Sequence, residues 1–312
     1  MPIAGRSAYA WAAPVALGLA LTIGCAAPEP TEEEAARETP APVSEPAPAE
    51  TSAATIPVMP TAEGDLPEAI VGTAAAPQGI DLEYMTGDPA TVGYLAVPEG
   101  QGPFPALILV HEWDGLNDRI RQTADAFAAE GYIALAADLY QGRTGSNREE
   151  NMALVSEVRG NMDQVVTNLN TAASYLRGRE DTSGRIGVMG WCFGGGVALS
   201  YGLDGENHDA TAIFYGTLVQ DPELLAGLGH EVYGTFAAND TGIPPADVEQ
   251  FVEALRTAGI ENDVHVYDDM DHGFWLYVDE EPETRTAPAL DAWERLKAYL
   301  SRTLSSGPQP TE

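Results

Sequence analysis

The 312-residue sequence predicts an α/β protein, with a mostly parallel, doubly wound sheet in a single domain over residues 78–304. Two observations carry that reading. Runs such as "PALILVHEW" (105–113) and "YIALAADLY" (132–140) are apolar without alternation, as in strands buried on both faces of a parallel sheet. Between such runs lie segments with helical spacing, and strand followed by helix along the whole span builds a doubly wound sheet.

In chain order, "IDLEYMT" (80–86) and "ATVGYLAVP" (90–98) read as two opening strands, and Pro98 and Gly100 turn the chain toward 105–113. In "NDRIRQTADAFAAEGY" (117–132), Ile120, Ala124, Phe127 and Ala128 share one helical face, and Gly131 ends the helix. Strand 132–140 follows. Residues 149–178 form one long helix or two consecutive ones, interrupted near Gly160. "GRIGVMGW" (184–191) is a strand that feeds a helix from Phe193 to Gly202. Strands at 210–216 and 231–240, a helix at 245–259, a strand at 262–269 and a final helix at 286–304 complete the domain. Residues 305–312 are a tail.

The segment ahead of the domain has a different composition. Residues 8–24 are apolar, follow Arg6 and are broken by Pro14, so the unbroken part, Val15–Gly24, suits a signal-peptide core rather than a membrane span. It leads into "LTIGC", which resembles the lipobox of bacterial lipoproteins, with Thr22 in place of the usual Leu. That resemblance implies cleavage and lipidation at Cys25, hence an exported, membrane-anchored chain. An ordinary secretion signal cut nearby is the alternative. Residues 26–77 are rich in Pro, Ala and Glu with few large apolar side chains, the composition of a disordered leash.

The chain carries 48 acidic against 15 basic residues, a net charge of −33. A surface this acidic repels nucleic-acid phosphates and anionic headgroups, so neither is an expected partner. The membrane is met only through the lipid anchor. Of the two cysteines, a lipidated Cys25 leaves Cys192 without an internal partner, and a lone exported thiol is either buried or useful.

In an open parallel sheet, ligands meet the loops at the carboxyl ends of the strands. Here these are "HEWDGLN" (111–117), the turn at Cys192, "NDTGIP" (239–244) and "MDHGFW" (270–275). "GWCFG" (190–194) has the form G-x-nucleophile-x-G, a strand-to-helix elbow whose glycines allow a strained, tightly packed turn. Taken alone, it is also compatible with a structural cysteine in a glycine-rich bend. Downstream, however, Asp240 and His272 each follow a strand, and nucleophile–acid–histidine is the chain order of α/β-hydrolases. Three separate loops deliver the parts of a triad, with His272 as base and Asp240 as its orienter. Asp268, Asp269 and Asp271 crowd the histidine and are rival orienters. The N–H of Phe193, after the nucleophile, and that of Trp113, in the "HEWDGLN" loop, are the candidate oxyanion donors.

At this point the sequence resembles the dienelactone hydrolase family. The resemblance covers residues 78–304 and rests on "HEWDGLN", "GYIALAADLYQG", "GVMGWCFGGG", the "ND" at 239–240 and "DHGF". It implies an α/β-hydrolase fold and a cysteine nucleophile, Cys192, working with His272 and Asp240 through a thioester. It also implies that Glu112, on the oxyanion loop, keeps the resting thiol protonated and helps activate it when substrate arrives. Members that cleave dienelactone hold the substrate carboxylate with arginines, one of them four residues after the histidine. Here that position is Leu276. Arg148 is the candidate match for the other. With Trp275 and Leu276 expected near the mouth, the implied substrate is an uncharged small-molecule ester or lactone. No cofactor and no metal are expected.

Other features carry less. "HEWDG" lacks the second histidine of a zinc helix, and His208, His230 and His265 are widely spaced structural or surface histidines. "CFGGG" is followed by no G-K-[ST]. A non-catalytic ligand-binding lipoprotein is the competing reading, and a thiol redox protein is a third, without a C-x-x-C to support it. The pattern fixes no oligomeric state and no natural substrate.

Overall fold

The computed structural model describes residues 65–304. The expected signal segment with Cys25, the leash as far as residue 64 and the tail at 305–312 lie outside the described residues. An eight-stranded sheet has the order β1-β2-β4-β3-β5-β6-β7-β8. Its strands are β1 (Ile80–Leu82), β2 (Gly93–Ala96), β3 (Phe104–Val110), β4 (Ile133–Ala137), β5 (Thr182–Trp191), β6 (Ala210–Phe214), β7 (Val232–Ala237) and β8 (Asn262–Tyr267). β2 runs antiparallel to both β1 and β4. From β4 through β8 every pairing is parallel. The expected doubly wound α/β sheet is therefore present.

Successive residues of a strand face opposite sides of its sheet, and β3 shows the consequence. Leu107 and Leu109 belong to one core cluster, and Ala106, Ile108 and Val110 to another. The first face is covered by α1 (Asp118–Ala129), through Ile120, Ala124 and Phe127, and by α7 (Pro282–Leu304), through Trp293, Leu296 and Leu300. The second is covered by α2 (Arg148–Arg159), α3 (Met162–Arg177) and α4 (Phe193–Asp204). The short α5 (Pro222–Leu225) and α6 (Pro245–Ala258) pack a third cluster around Phe236 and Phe251. No helix among the described residues is long and apolar enough to cross a membrane.

The span 149–178 is two helices, one of the two arrangements expected, and Gly160 is the cap that ends the first. Other boundaries differ from expectation. The final helix begins at Pro282 rather than Thr286. Pro282 fits the first turn, where its missing N–H has no helical partner, and the interior Pro288 is outweighed by the buried Ala289, Ala292 and Trp293. The four-residue α5 and a 3₁₀ turn at Val278–Glu280 had no periodicity to announce them. The leash, expected to run to residue 77, gives way to packed chain sooner. Ile70 is fully buried, Leu66 and Val71 pack beside it, and Arg119 donates to the Ala69 carbonyl at 2.6 Å. Gln122 Nε2 donates to the Ala75 carbonyl at 2.8 Å. Leu66, Ile70 and Val71, set among alanines, are enough to seat it on the cluster that α1 also covers.

The chain leaves β3 for β4 on one side, then returns to β5 on the other. That reversal opens a crevice at the carboxyl ends of β3 and β5, which lie in register as Val110 beside Gly190. The loops after these two strands carry Glu112, Trp113 and Cys192.

Candidate active site

Cys192 follows β5 directly and caps the N-terminus of α4, with φ 53° and ψ −116°. That positive φ is a strained conformation for a residue with a side chain. Its N–H donates to the Phe214 carbonyl at 3.0 Å, which fixes the turn against β6. Two residues to either side, only glycine fits. A Cβ at Gly190 would collide with the Gly194 carbonyl, and one at Gly194 with the carbonyls of Val110 and His111. Phe193 opens α4, so its N–H has no carbonyl one turn back in the helix.

His272 lies in the turn beyond β8, and its Nδ1 is 2.6 Å from Asp240 Oδ2. The other oxygen, Asp240 Oδ1, accepts N–H bonds from Gly242 at 2.8 Å and Ile243 at 3.1 Å. Asp240, rather than the exposed Asp268, Asp269 or Asp271, is thus the carboxylate bonded to the histidine. A carboxylate facing Nδ1 assigns a proton there and turns Nε2 away from Asp240. The Asp240 side chain is 5% exposed and that of His272 is 40% exposed, so the charge is buried and the base reaches solvent. Burial works against the imidazolium, but the bond to Asp240 and the nearby Cys192 side chain outweigh it and push His272 up to about 10. Burial likewise works against the Asp240 carboxylate, and the His272 bond outweighs it, leaving the group below its ordinary value.

Glu112 is 6% exposed. Burial pushes its carboxyl up to about 7, opposed by a hydrogen bond from Tyr277. His111, beside it, is a structural residue. Its Nε2 accepts the Leu139 N–H at 3.3 Å, so Nδ1 donates to the Glu112 carbonyl at 2.6 Å, and burial lowers its pKa. The Trp113 carbonyl accepts the Tyr140 hydroxyl at 3.1 Å, anchoring the loop that carries its N–H.

Three expected substrate contacts are placed elsewhere. Trp275 and Leu276 are fully buried, not at the mouth. Trp275 stacks on Trp191 with centroids 5.9 Å apart at 17°, and both residues belong to the core between the sheet and α7. They move inward because the turn after His272 dives into the core before the 3₁₀ turn. Arg148 stands at the exposed first position of α2 and makes no contact with Cys192 or His272 among the described residues. Conversely, Tyr215 and Tyr277 were not anticipated. Tyr215, at φ 39°, sets its ring 4.9 Å from that of His272, and its position at the end of a strand gave no signal of this.

A cleft of about 640 Å³ runs along the outer side of the Glu112 loop, past Asp81, Asp114 and Asp118. Its acid-rich lining is unsuited to an anion. No cluster of three or more metal-ligating side chains occurs among the described residues.

An eight-stranded, mostly parallel sheet with a nucleophile-type elbow after β5 defines the fold as that of the α/β-hydrolases. Residues 91–304 match the dienelactone hydrolase family. The chain belongs to that family and is a hydrolase acting on ester bonds. It is 33% identical over 221 residues to a Methylorubrum extorquens protein named "Putative carboxymethylenebutenolidase", covering 66% of this chain and 75% of that one. Among solved structures, a "Putative Dienelactone Hydrolase" from Klebsiella pneumoniae superposes with TM-score 0.60 at 27% identity, covering 68% of this chain and 93% of that one. A metagenomic dienelactone hydrolase-like phosphotriesterase superposes with TM-score 0.63 at 19% identity, covering 74% of this chain and all of its own, a likeness of fold alone.

Proposed function

We propose that this chain hydrolyses uncharged carboxylic esters or lactones through a thioester on Cys192. The observation that supports this best is the His272–Asp240 pair, 2.6 Å apart, delivered by two loops beyond the elbow that carries Cys192 at a positive φ.

In the first half-reaction, the thiol proton passes to His272 Nε2 as Sγ attacks the carbonyl carbon. The oxyanion accepts N–H bonds from Phe193 and Trp113. The C–O bond then breaks, and His272 returns the proton to the leaving alkoxide. In the second, water gives a proton to His272 and attacks the thioester, the C–S bond breaks, and the proton returns to sulfur. Asp240 holds the ring and balances its charge throughout. Because the position four residues after His272 is a core leucine, it offers no cation to a substrate carboxylate. The net charge of −33 disfavours anionic substrates further.

The experiment is turnover of short-chain p-nitrophenyl esters by the full chain and by Cys192→Ala. Activity in the first and its loss in the second support the reading. Equal activity in both discards it, and ligand binding without turnover in either favours a binding protein on this scaffold. Export with a lipid on Cys25 belongs to the same proposal and is supported by the sequence. Radiolabelled palmitate incorporation, lost in Cys25→Ala, is its test.

A further inference from the structure

The Trp113 N–H belongs to the peptide that joins Glu112 to Trp113, and the carbonyl of that same peptide is held by a buried ring. His111 Nδ1 lies 2.6 Å from the Glu112 carbonyl oxygen. The ring's second bond fixes which nitrogen does what. The Leu139 N–H, 3.3 Å from Nε2, can only donate, so Nε2 accepts and Nδ1 carries the proton that it gives to the carbonyl. His111 is 0% exposed, which keeps bulk water from both bonds.

Across a trans peptide the carbonyl and the N–H point in opposite directions, and the Glu112–Trp113 bond is trans. Holding the carbonyl therefore aims the N–H, which makes no hydrogen bond of its own among the described residues. The following peptide is held as well, through the 3.1 Å bond from the Tyr140 hydroxyl to the Trp113 carbonyl. The His111 and Tyr140 rings meet in a T-shape with centroids 4.6 Å apart. Both also pack near Phe193, the residue that carries the other expected oxyanion donor, with centroids 6.3 and 6.0 Å away. The backbone closes the same contact, because a Cβ at Gly194 would strike the His111 carbonyl. One aromatic cluster thus ties the loop after β3 to the elbow after β5.

We propose that His111 is a positioning residue for the oxyanion hole: by holding the Glu112 carbonyl, its imidazole aims the Trp113 N–H at the oxygen of the reacting carbonyl. Tyr140 steadies the peptide that follows. This rests on the hydrolase reading of the site. A donor aimed in advance stabilises the oxyanion without reorganising as charge develops, so its loss falls on the transition state rather than on bound substrate.

Two substitutions in the full chain separate the bonds of His111. The amide nitrogen of asparagine falls near the place of Nδ1, and the amide group of glutamine near that of Nε2. His111→Asn therefore keeps a donor for the Glu112 carbonyl and gives up Leu139, whereas His111→Gln keeps an acceptor for Leu139 and gives up the carbonyl. Glu112–Trp113 is the only Glu-Trp pair in the sequence, so isotope labels at the glutamate carbonyl and the tryptophan nitrogen mark that one peptide for NMR, without turnover. His111→Gln is expected to move this cross-peak and to lower kcat for a p-nitrophenyl ester about 10²-fold with KM little changed, as loss of one oxyanion donor does. His111→Asn is expected to leave the cross-peak near its natural place and to keep a kcat at least about tenfold above that of His111→Gln, the worth of one hydrogen bond. An unmoved cross-peak in His111→Gln overturns the proposal, as do equal losses of kcat in the two variants. If neither variant folds, Tyr140→Phe, which keeps the ring and removes only the bond to the Trp113 carbonyl, is expected to move the same cross-peak and lower kcat at unchanged KM. Natural values of both would overturn the proposal. A cross-peak that moves in His111→Gln alone, in a chain that turns over no ester, defeats the hydrolase reading while leaving the hold on the Glu112–Trp113 peptide standing.

Discussion

His272 Nδ1 lies 2.6 Å from Asp240 Oδ2, while the second oxygen of the same carboxylate takes the N–H groups of Gly242 and Ile243. The backbone bonds hold the carboxylate in one rotamer, and the carboxylate in turn holds the ring. That arrangement makes the histidine a base whose tautomer is chosen before substrate arrives.

Asp240→Asn is expected to keep the bonds to Gly242 and Ile243 through its amide oxygen but to present an NH₂ or the wrong lone pair to Nδ1. The expected result is a fall in kcat of about 10³-fold or more with little change in KM. Steady-state kinetics beside a melting curve checks this. Retained kcat would mean that another group orients the ring.

The raised pKa of His272 depends partly on the nearby Cys192 side chain. Cys192→Ala is therefore expected to lower the imidazole's titration from about 10, as followed by NMR of the ring protons. An unchanged titration would show that the two side chains are not coupled.

Glu112 is a buried acid whose native value, about 7, exceeds its ordinary 4.5. A raised carboxyl binds its proton more tightly in the folded state, so stability is fullest below pH 4.5 and declines as pH rises toward 7. The decline attributable to this group is about 3 kcal/mol. Glu112→Gln, which cannot ionise, is expected to narrow the stability gap between acid and neutral pH. Urea denaturation of both proteins at pH 4.5 and pH 8 measures it, and parallel curves would contradict the expectation.

Gly194→Ala tests the packing of the elbow. The added methyl meets two backbone carbonyls, of Val110 and His111, neither of which can rotate away. A loss of about 3 kcal/mol or more is expected, at the upper end for overpacking a core. Near-normal stability would show that α4 can draw back from β3.

The sheet was legible because strands buried on both faces are continuous apolar runs, and β3 and β4 are buried along nearly their whole length. The elbow was legible for a local reason, since the geometry of Cys192 demands glycine at fixed offsets. Asp240 and His272 followed from chain order. Trp275 and Leu276 were misplaced because a local pattern does not say whether an aromatic after a catalytic-type loop faces the mouth or the core. Tyr277 and Arg119 were invisible for a different reason. They meet each other, Asp279 and the carbonyls at 69–70 only through tertiary folding. The packing of residues 65–76 was missed because three large apolar side chains stand among alanines that continue the Pro/Ala/Glu composition of the leash.

The most direct measurement is acid-quenched mass spectrometry of the full chain within the first turnover of a p-nitrophenyl ester. An acyl mass increment on the peptide carrying Cys192, absent after Cys192→Ala, is the result predicted. Turnover at the natural rate with no acyl group on Cys192, or with acylation of a different residue, would contradict the account.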